Sequence, residues 1–271
     1  MPAQIITSRI GILACGGIIP SIVAKSCHDA GHDPFIVALK SFTDPTWMKD
    51  YDHAWHRIGA LGGVIKTFKT HGIRDLCLIG SLGKPSLSSL RPDLTGIKFL
   101  SRVRYSNMGD DGLLRAFRTF LEGQGFVIHG AHRLAPDLLT PAGVLGAVTP
   151  SAVQEEDIEF GIKAAQKLGE RDMGQAVIVL NGQLIAEEAR EGTAALIAAH
   201  GTAGAILVKL CKPQQDRDID MPTIGPDTVR AAASKNMGGL VAHAGESLFV
   251  ERARAISEAD TQGLFVLGAK P

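Results

Sequence analysis

The sequence predicts an α/β protein of two domains, of which the first is built on a parallel sheet. Short apolar strands alternate with amphipathic helical segments over the first half of the chain, an arrangement typical of a parallel sheet with helices on both faces. A double glycine, Gly16-Gly17, follows the first strand, and a stretch rich in proline and glycine separates the two halves. We therefore expect a first domain over residues 1–132, a linker over 133–150 and a second domain over 151–271.

The first half has four predicted strands with helices between them. The first strand runs from Arg9 to Cys15 and ends at the glycine turn, after which an amphipathic helix extends to about Gly31. Apolar residues recur at helical spacing between Leu113 and Leu121, with Asp110 as the predicted N-cap. The other predicted strands are residues 34–39, 76–79 and 125–128.

The second half has a mixed pattern. Asn181-Gly182 is a strong signal for a tight β-hairpin between two short apolar runs. Thr193 is a candidate N-cap for the helix that follows. The predicted elements are a helix at 151–168, strands at 176–180, 183–187 and 205–210, a helix at 227–235 and a second hairpin at 239–250.

Composition limits the partners and the compartment. The 271 residues are 45% apolar and carry 28 basic and 28 acidic side chains, so a sizeable core forms and no global field recruits nucleic acid or an anionic membrane. The four cysteines are far apart and form no CxxC pair, which argues against a zinc ribbon or a disulfide framework. We expect a soluble cytoplasmic protein, since no signal sequence and no apolar run of about 18 residues is present.

The segment from Lys209 to Gly225 carries the clearest chemical signal. Asp216, Asp218 and Asp220 alternate, so in extended backbone their carboxylates would point to one side and share a hard cation. Lys209 and Lys212 stand close enough along the chain to neutralise phosphate oxygens. A solvated polar loop is the alternative interpretation of such a charge run.

Other motifs are weaker. The glycines at 16 and 17 lack the GxGxxG spacing, which disfavours NAD and leaves either a structural turn or a phosphate contact. His129 and His132 flank Gly130-Ala131 at the end of a strand, where ligands bind to parallel sheets. The alternative is that they are packed or surface histidines without a ligand. The GxSxG, HExxH and Walker patterns are absent from the sequence.

Six motifs in order give the chain a resemblance to a known family. The motifs are CGGIIP at 15–20, GDDGLLR at 109–115, DMGQAVIV at 172–179, EAREGT at 188–193, DMPTIG at 220–225 and GLFVLG at 263–268. Together they resemble the LpxI family of UDP-2,3-diacylglucosamine pyrophosphatases over nearly the whole chain. The resemblance implies a Rossmann-like N-terminal domain and a C-terminal α/β domain of LpxI type, with substrate held between them.

The resemblance also implies a reaction and its residues. UDP-2,3-diacylglucosamine would be hydrolysed to UMP and 2,3-diacylglucosamine 1-phosphate in lipid A biosynthesis, with Mg²⁺ as cofactor and with water directed at the phosphorus nearer the sugar. The family's essential aspartate corresponds to Asp220, which would bind metal or orient water, with Asp216 and Asp218 as further metal ligands. Lys209 and Lys212 would stabilise charge on the phosphates. The implied substrate contacts are Gly16, Gly17, Ile18, Ser81, Gly130, Ala131, His132, Glu191, Gly192, Thr193 and Thr223.

One position departs from the family, since Ser81 stands where members often carry asparagine. A lipid-linked nucleotide sugar also requires apolar surface, so we expect a hydrophobic groove and transient contact with the inner membrane. The sequence leaves the oligomeric state open, and a homo-oligomer is compatible with it. Two other hypotheses are a non-catalytic sensor of nucleotide sugars or lipids, and a Rossmann dehydrogenase lacking the usual fingerprint.

Overall fold

The computed structural model describes residues 7–82, 90–103 and 110–271, and of Asp110 and Asp111 only the backbone. The predicted N-cap role of the Asp110 side chain therefore lies outside the described part. The chain folds into two compact units, and the α/β prediction is confirmed. The units are Met1–Pro136 with Asp216–Asp220, and Asp137–Gln215 with Met221–Pro271.

This division differs from the predicted one in two ways. The short segment Asp216–Asp220 belongs to the first unit although it lies far along the chain. Part of the expected linker is regular structure of the second unit, because Gly143–Val144 pairs with Phe265–Ala269. Proline and glycine thus marked a change of unit here, but not a stretch without secondary structure.

The first unit is built on a five-stranded, all-parallel sheet. Its strands are β1 (Arg9–Ala14), β2 (Asp33–Leu39), β3 (His53–His56), β4 (Asp75–Ile79) and β5 (Val127–Ile128). The helices in its described part are α1 (Ile19–Asp29), α2 (Leu61–Thr70), α3 (Leu94–Arg102), α4 (Asp110–Glu122) and α5 (Ala131–Leu134). The spatial order β3-β2-β1-β4-β5 reverses direction between β1 and β4, and ligands of such sheets bind at the carboxyl ends of the strands there.

Apolar residues at helical spacing attach the helices to this sheet. In α2 the buried residues Leu61, Val64, Ile65 and Phe68 form one face against the strands. Each such side chain contributes roughly 1.5–3 kcal/mol when it is fully buried. The carboxyl ends of the strands are consequently held rigidly, and the loops that follow them start from fixed positions.

The sequence predicted four strands in this unit and the structure adds a fifth. Among the described strands, β3 pairs with β2 alone and is the outermost strand of the sheet. Its sequence, HAWH, is half-buried and has no apolar run, so periodicity gave no signal for it.

The second unit contains a mixed, six-stranded sheet in the order β6-β13-β11-β9-β7-β8. Its strands are β6 (Gly143–Val144), β7 (Ala176–Leu180), β8 (Gln183–Glu187), β9 (Ile206–Lys209), β11 (Gly239–His243) and β13 (Phe265–Ala269), and β10 (Thr223–Ile224) pairs with β12 (Leu248–Phe249) separately. The helices are α6 (Ala152–Glu170), α7 (Gly192–His200), α8 (Pro226–Ala233) and α9 (Arg252–Thr261). Apolar clusters cover both faces of the larger sheet, which explains the continuous apolar runs in its central strands.

The predicted hairpin at Asn181-Gly182 is confirmed. Both turn residues have positive φ, at 51° and 70°, as a tight hairpin turn requires. The buried carboxylate of Asp157 in α6 accepts hydrogen bonds from both turn amides. Helix α6 thereby holds the hairpin as well as packing on the sheet.

The second predicted hairpin, over residues 239–250, is wrong. Strand β11 lies inside the larger sheet between β9 and β13, whereas β12 pairs with β10. Two short apolar runs around a glycine turn resemble a hairpin in sequence. In the fold, however, the first run is a buried strand that pairs with the parallel strands β9 and β13.

Candidate functional site

The glycine turn after β1 forms part of the sheet edge that parallel sheets use for ligands. The backbones of Gly16 and Ser81 exchange two hydrogen bonds of 2.9 and 2.8 Å, which ties the loops after β1 and β4 together. A Cβ on Gly16 would lie 3.1 Å from the Ser81 carbonyl and hydroxyl oxygens. Helix α1 starts directly afterwards, and Ile18 precedes it without a side-chain cap within the described chain. These predicted residues therefore do come together at one edge.

The loop after β5 contributes the second group of predicted residues. Gly130 precedes α5, and a Cβ there would lie 2.5 Å from His132 Nδ1 and 2.8 Å from Asp218 Cα. Only glycine fits this approach without displacing its neighbours. His129, in contrast, is buried and its Nε2 lies 2.6 Å from Asp75 Oδ1, so it supports the fold beneath the site.

The segment Asp216–Asp220 forms a hydrogen-bonded turn in the first unit, which we call the acidic turn. The carbonyl of Asp216 accepts hydrogen bonds from the amides of Ile219 and Asp220, at 3.0 and 2.9 Å. The Asp216 carboxylate also accepts one from the Asp218 amide at 3.1 Å. The extended backbone predicted for this segment is therefore wrong, because these local hydrogen bonds close the turn.

Two arginines of the first unit hold the carboxylates of the acidic turn. Arg118 Nη1 lies 2.6 and 2.7 Å from the two Asp216 oxygens, and its Nη2 lies 3.4 Å from Asp218 Oδ2. Arg133 Nε lies 3.1 Å from Asp218 Oδ1, which also accepts the Gly130 amide at 3.2 Å. Burial acts to lower the pKa of Arg118, but its contacts with Glu122 and Asp216 outweigh burial and raise that pKa. The charges of Asp216 and Asp218 are thus compensated within the protein.

His132 lies beside the acidic turn in a mostly buried position. Its Nε2 is 4.0 Å from Asp218 Oδ1, and its Nδ1 is buried with no hydrogen-bond partner among residues 7–82, 90–103 and 110–271. Burial lowers the pKa of His132, and the charges of Arg133 and Arg217 add to the lowering. The charge of Asp218 and a hydrogen bond with the Arg217 backbone oppose it. The imidazole is consequently neutral near pH 7 and has a ring nitrogen for which a ligand could supply a partner.

The resemblance implies Mg²⁺ with three aspartate ligands, and the described surroundings of these aspartates differ. Within the ranges that the structure covers, no group of three His, Cys, Asp or Glu side chains could hold a metal ion by itself. Asp216 and Asp218 already face arginines, which makes them poor ligands for a cation. Of the three predicted ligands, Asp220 would therefore be the carboxylate that the protein offers to a Mg²⁺ ion.

The predicted lysines lie in the second unit. Lys209 is buried at the end of β9, and its ammonium donates to the Thr223 carbonyl at 3.1 Å. Lys212 lies 2.9 Å from Asp172 Oδ1 through its Nζ. Both lysines and Thr223 thus share the second unit, where each lysine also holds neighbouring chain segments in place.

The EAREGT segment also belongs to the second unit. Gly192 has φ of 82° and begins α7, whose N-cap is Glu191. The Thr193 hydroxyl donates to the buried Glu188 carboxylate at 2.5 Å, which accepts the Gln175 amide at 2.9 Å as well. The prediction of Thr193 as N-cap is therefore wrong, since the N-cap is Glu191, two residues earlier, and the Thr193 hydroxyl binds Glu188.

Sequence reasoning missed Arg118 and Arg133. Arg118 lies on an amphipathic helix and is four residues from Glu122, which reads as an ordinary surface ion pair. Its other partner, Asp216, is 98 positions away in the chain. Only an expectation that the acidic segment folds back onto the first unit could have found this pair.

The fold and the candidate site define a class of α/β protein. Its Rossmann-like parallel sheet carries a glycine turn where the strand order reverses, and the acidic turn belongs to the same unit. The LpxI N-terminal domain family matches residues 9–138, and the LpxI C-terminal domain family matches residues 141–267. UDP-2,3-diacylglucosamine pyrophosphatase LpxI of Caulobacter vibrioides is 36% identical over 275 residues, covering 97% of this chain and 98% of that protein. The chain belongs to the LpxI family.

Solved structures show only slight likeness. CobK precorrin-6A reductase is 11% identical, with a TM-score of 0.36 over 98% of this chain and 90% of that one. Leucoanthocyanidin reductase with NADPH, from Vitis vinifera, is 17% identical, with a TM-score of 0.28 over 44% of this chain and 47% of that one. Neither likeness carries an argument about activity.

Proposed function

We propose that this protein hydrolyses the pyrophosphate bond of UDP-2,3-diacylglucosamine, giving UMP and 2,3-diacylglucosamine 1-phosphate. The observation that carries the proposal is family membership over nearly the whole chain. The acidic turn supports it, because the family's essential aspartate corresponds to Asp220 and this turn holds Asp220 in a defined conformation.

Hydrolysis of a phosphoanhydride mainly requires charge neutralisation, alignment and an oriented water. In the first unit, the backbone amides at Gly16, Gly17 and Ile18 would bind phosphate oxygens at the start of α1. The Nδ1 of His132, which has no hydrogen-bond partner among the residues that the structure describes, would donate to or accept from the substrate, beside Gly130 and Ala131. Ser81 would contact substrate through its backbone, which its pairing with Gly16 already fixes.

Asp220 would orient the attacking water and accept its proton as the bond to the leaving phosphate breaks. In the second unit, Lys209 and Lys212 would offset the charge that develops on the phosphates. Glu191, Gly192, Thr193 and Thr223 would bind the remainder of the substrate. A Mg²⁺ ion bound to the pyrophosphate would withdraw charge from its oxygens.

The substrate carries two acyl chains, so we also propose that the protein works at the cytoplasmic surface of the inner membrane. No helix in the described parts of the chain is long and apolar enough to cross a bilayer. Contact with the membrane would therefore be peripheral and would accompany substrate uptake.

The test is release of UMP from UDP-2,3-diacylglucosamine by the purified protein, with Mg²⁺ and with a chelator. We expect UMP and 2,3-diacylglucosamine 1-phosphate in equal amounts when Mg²⁺ is present, and neither product when the chelator is present. Reaction in ¹⁸O-water should place the label in the sugar 1-phosphate, because water is proposed to attack the phosphorus nearer the sugar. Tight binding of the intact nucleotide without product would instead favour a sensor.

A further inference from the structure

Arg118 connects three carboxylates around the acidic turn. Its Nε lies 2.8 Å from Glu122 Oε1, Nη1 contacts both oxygens of Asp216, and Nη2 lies 3.4 Å from Asp218 Oδ2. The side chain is only 24% exposed. Every nitrogen of the guanidinium is therefore engaged, and the side chain has a single orientation in which all these contacts exist.

The hydrogen bonds of the turn connect this orientation to Asp220. Asp216 accepts the Asp220 amide through its carbonyl and the Asp218 amide through its carboxylate. Ile219, which lies between Asp218 and Asp220, packs against the apolar cluster of the first unit. A shift of the Asp216 side chain would consequently move the backbone that carries Asp220.

We propose that Arg118 is a positioning residue for the reaction, which holds Asp220 in its working place through Asp216 and Asp218. Arg133 assists by holding the second oxygen of Asp218. The inference rests on the function proposed above, because Asp220 is a catalytic residue only in that account. According to this proposal, turnover also depends on Arg118, a residue of α4 that is not among the predicted substrate contacts.

Replacement of Arg118 by lysine separates positioning from charge. Lysine keeps the positive charge, but its single ammonium cannot reproduce the planar fork that contacts both Asp216 oxygens and Asp218 together. A displacement of about 1 Å at a catalytic group costs on the order of 100-fold in rate. We expect Arg118→Lys to lower kcat by roughly 10- to 100-fold and to leave KM within about twofold.

Arg9→Lys is the matched control. Arg9 also joins two carboxylates across the first unit, with Nε 3.0 Å from Asp33 and Nη2 2.7 Å from Asp52. It lies at the start of β1, whereas the candidate site lies beyond the strand's other end. This variant should keep its kcat, and it should lose less stability, since Asp33 and Asp52 are largely exposed.

Hydrogen exchange of a peptide covering residues 214–222 gives a readout that does not depend on activity. In Arg118→Lys the turn amides of Asp218, Ile219 and Asp220 should exchange faster than in wild type and in Arg9→Lys. Unchanged kcat, equal losses of kcat in both variants, or a lower kcat with unchanged exchange would each overturn the proposal. If wild type releases no UMP, the proposed function fails, and the exchange comparison alone decides whether Arg118 holds the turn.

Discussion

The three aspartates of the acidic turn differ in how the protein holds them. Asp216 and Asp218 have their charges compensated by Arg118 and Arg133, so they serve the conformation of the turn. Asp220 is fixed through its backbone amide, and it is the residue on which turnover is proposed to depend. The candidate site therefore separates residues that shape it from the residue proposed to act in it.

The pH dependence of stability should reveal the buried environment of His132. Burial lowers its pKa in the folded protein, so below the unfolded value of about 6.5 the unfolded chain binds more protons at this position. The free energy of unfolding should therefore fall as pH drops from 6.5 towards the folded pKa. Urea unfolding at a series of pH values would measure it.

His132→Gln is the control for that series, since it keeps a polar side chain and removes the titrating ring. The variant should lose part of the pH dependence below about 6.5. An identical slope in both proteins would show that His132 does not contribute.

At the scale of elements, the sequence predicted what regular patterns encode. Apolar runs located β1, β2, β4 and β7, and the Asn181-Gly182 signal located the hairpin, because these features depend on neighbours in the chain. Strand β3 was missed because its sequence, HAWH, has no apolar run. The pairing of β11 was misassigned because its partners, β9 and β13, are distant in the chain. The residues of the acidic turn were identified from sequence, but the arginines that contact its carboxylates lie elsewhere in the chain and were not.

The loop between β5 and α5 should tolerate no side chain at Gly130. A methyl group there would overlap the His132 ring and the backbone of Asp218, so Gly130→Ala should displace the acidic turn. We expect a loss of roughly 1–3 kcal/mol in stability and a disproportionate loss of UMP release. Activity measured well below the unfolding temperature would separate the two effects. Wild-type turnover in this variant would contradict the close packing of the turn.

The contact between α6 and the β7–β8 hairpin should contribute to stability alone. Asp157→Ala leaves two turn amides without their charged acceptor, which should cost about 1.5–3 kcal/mol. Asp157→Asn retains an acceptor oxygen and should cost less. Thermal unfolding of both variants measures the difference, and equal unfolding temperatures for wild type and Asp157→Ala would exclude this role.

At the scale of the whole molecule, chain order and unit membership do not coincide. Five consecutive residues from the second half, Asp216–Asp220, complete the sheet-edge site of the first unit. The family resemblance spans both units, so it pointed to these residues even though local patterns could not assign them to a unit.

Removal of divalent metal should affect turnover and leave the fold unchanged. Among the described residues no group of three His, Cys, Asp or Glu side chains could hold a metal ion. In the proposed function Mg²⁺ is bound to the pyrophosphate of the substrate. A chelator should abolish UMP release while the unfolding temperature of the substrate-free protein stays constant. A lower unfolding temperature with chelator would indicate a resident structural metal and contradict this interpretation.

The most direct test of the central claim compares UMP release from UDP-2,3-diacylglucosamine by wild type and by Asp220→Ala, both with Mg²⁺ and with matched unfolding temperatures. We predict turnover by wild type and a loss of roughly 100-fold or more in the variant. Equal turnover by the two proteins would contradict the assignment of Asp220, and absence of product from wild type that demonstrably binds the substrate would contradict the pyrophosphatase function itself.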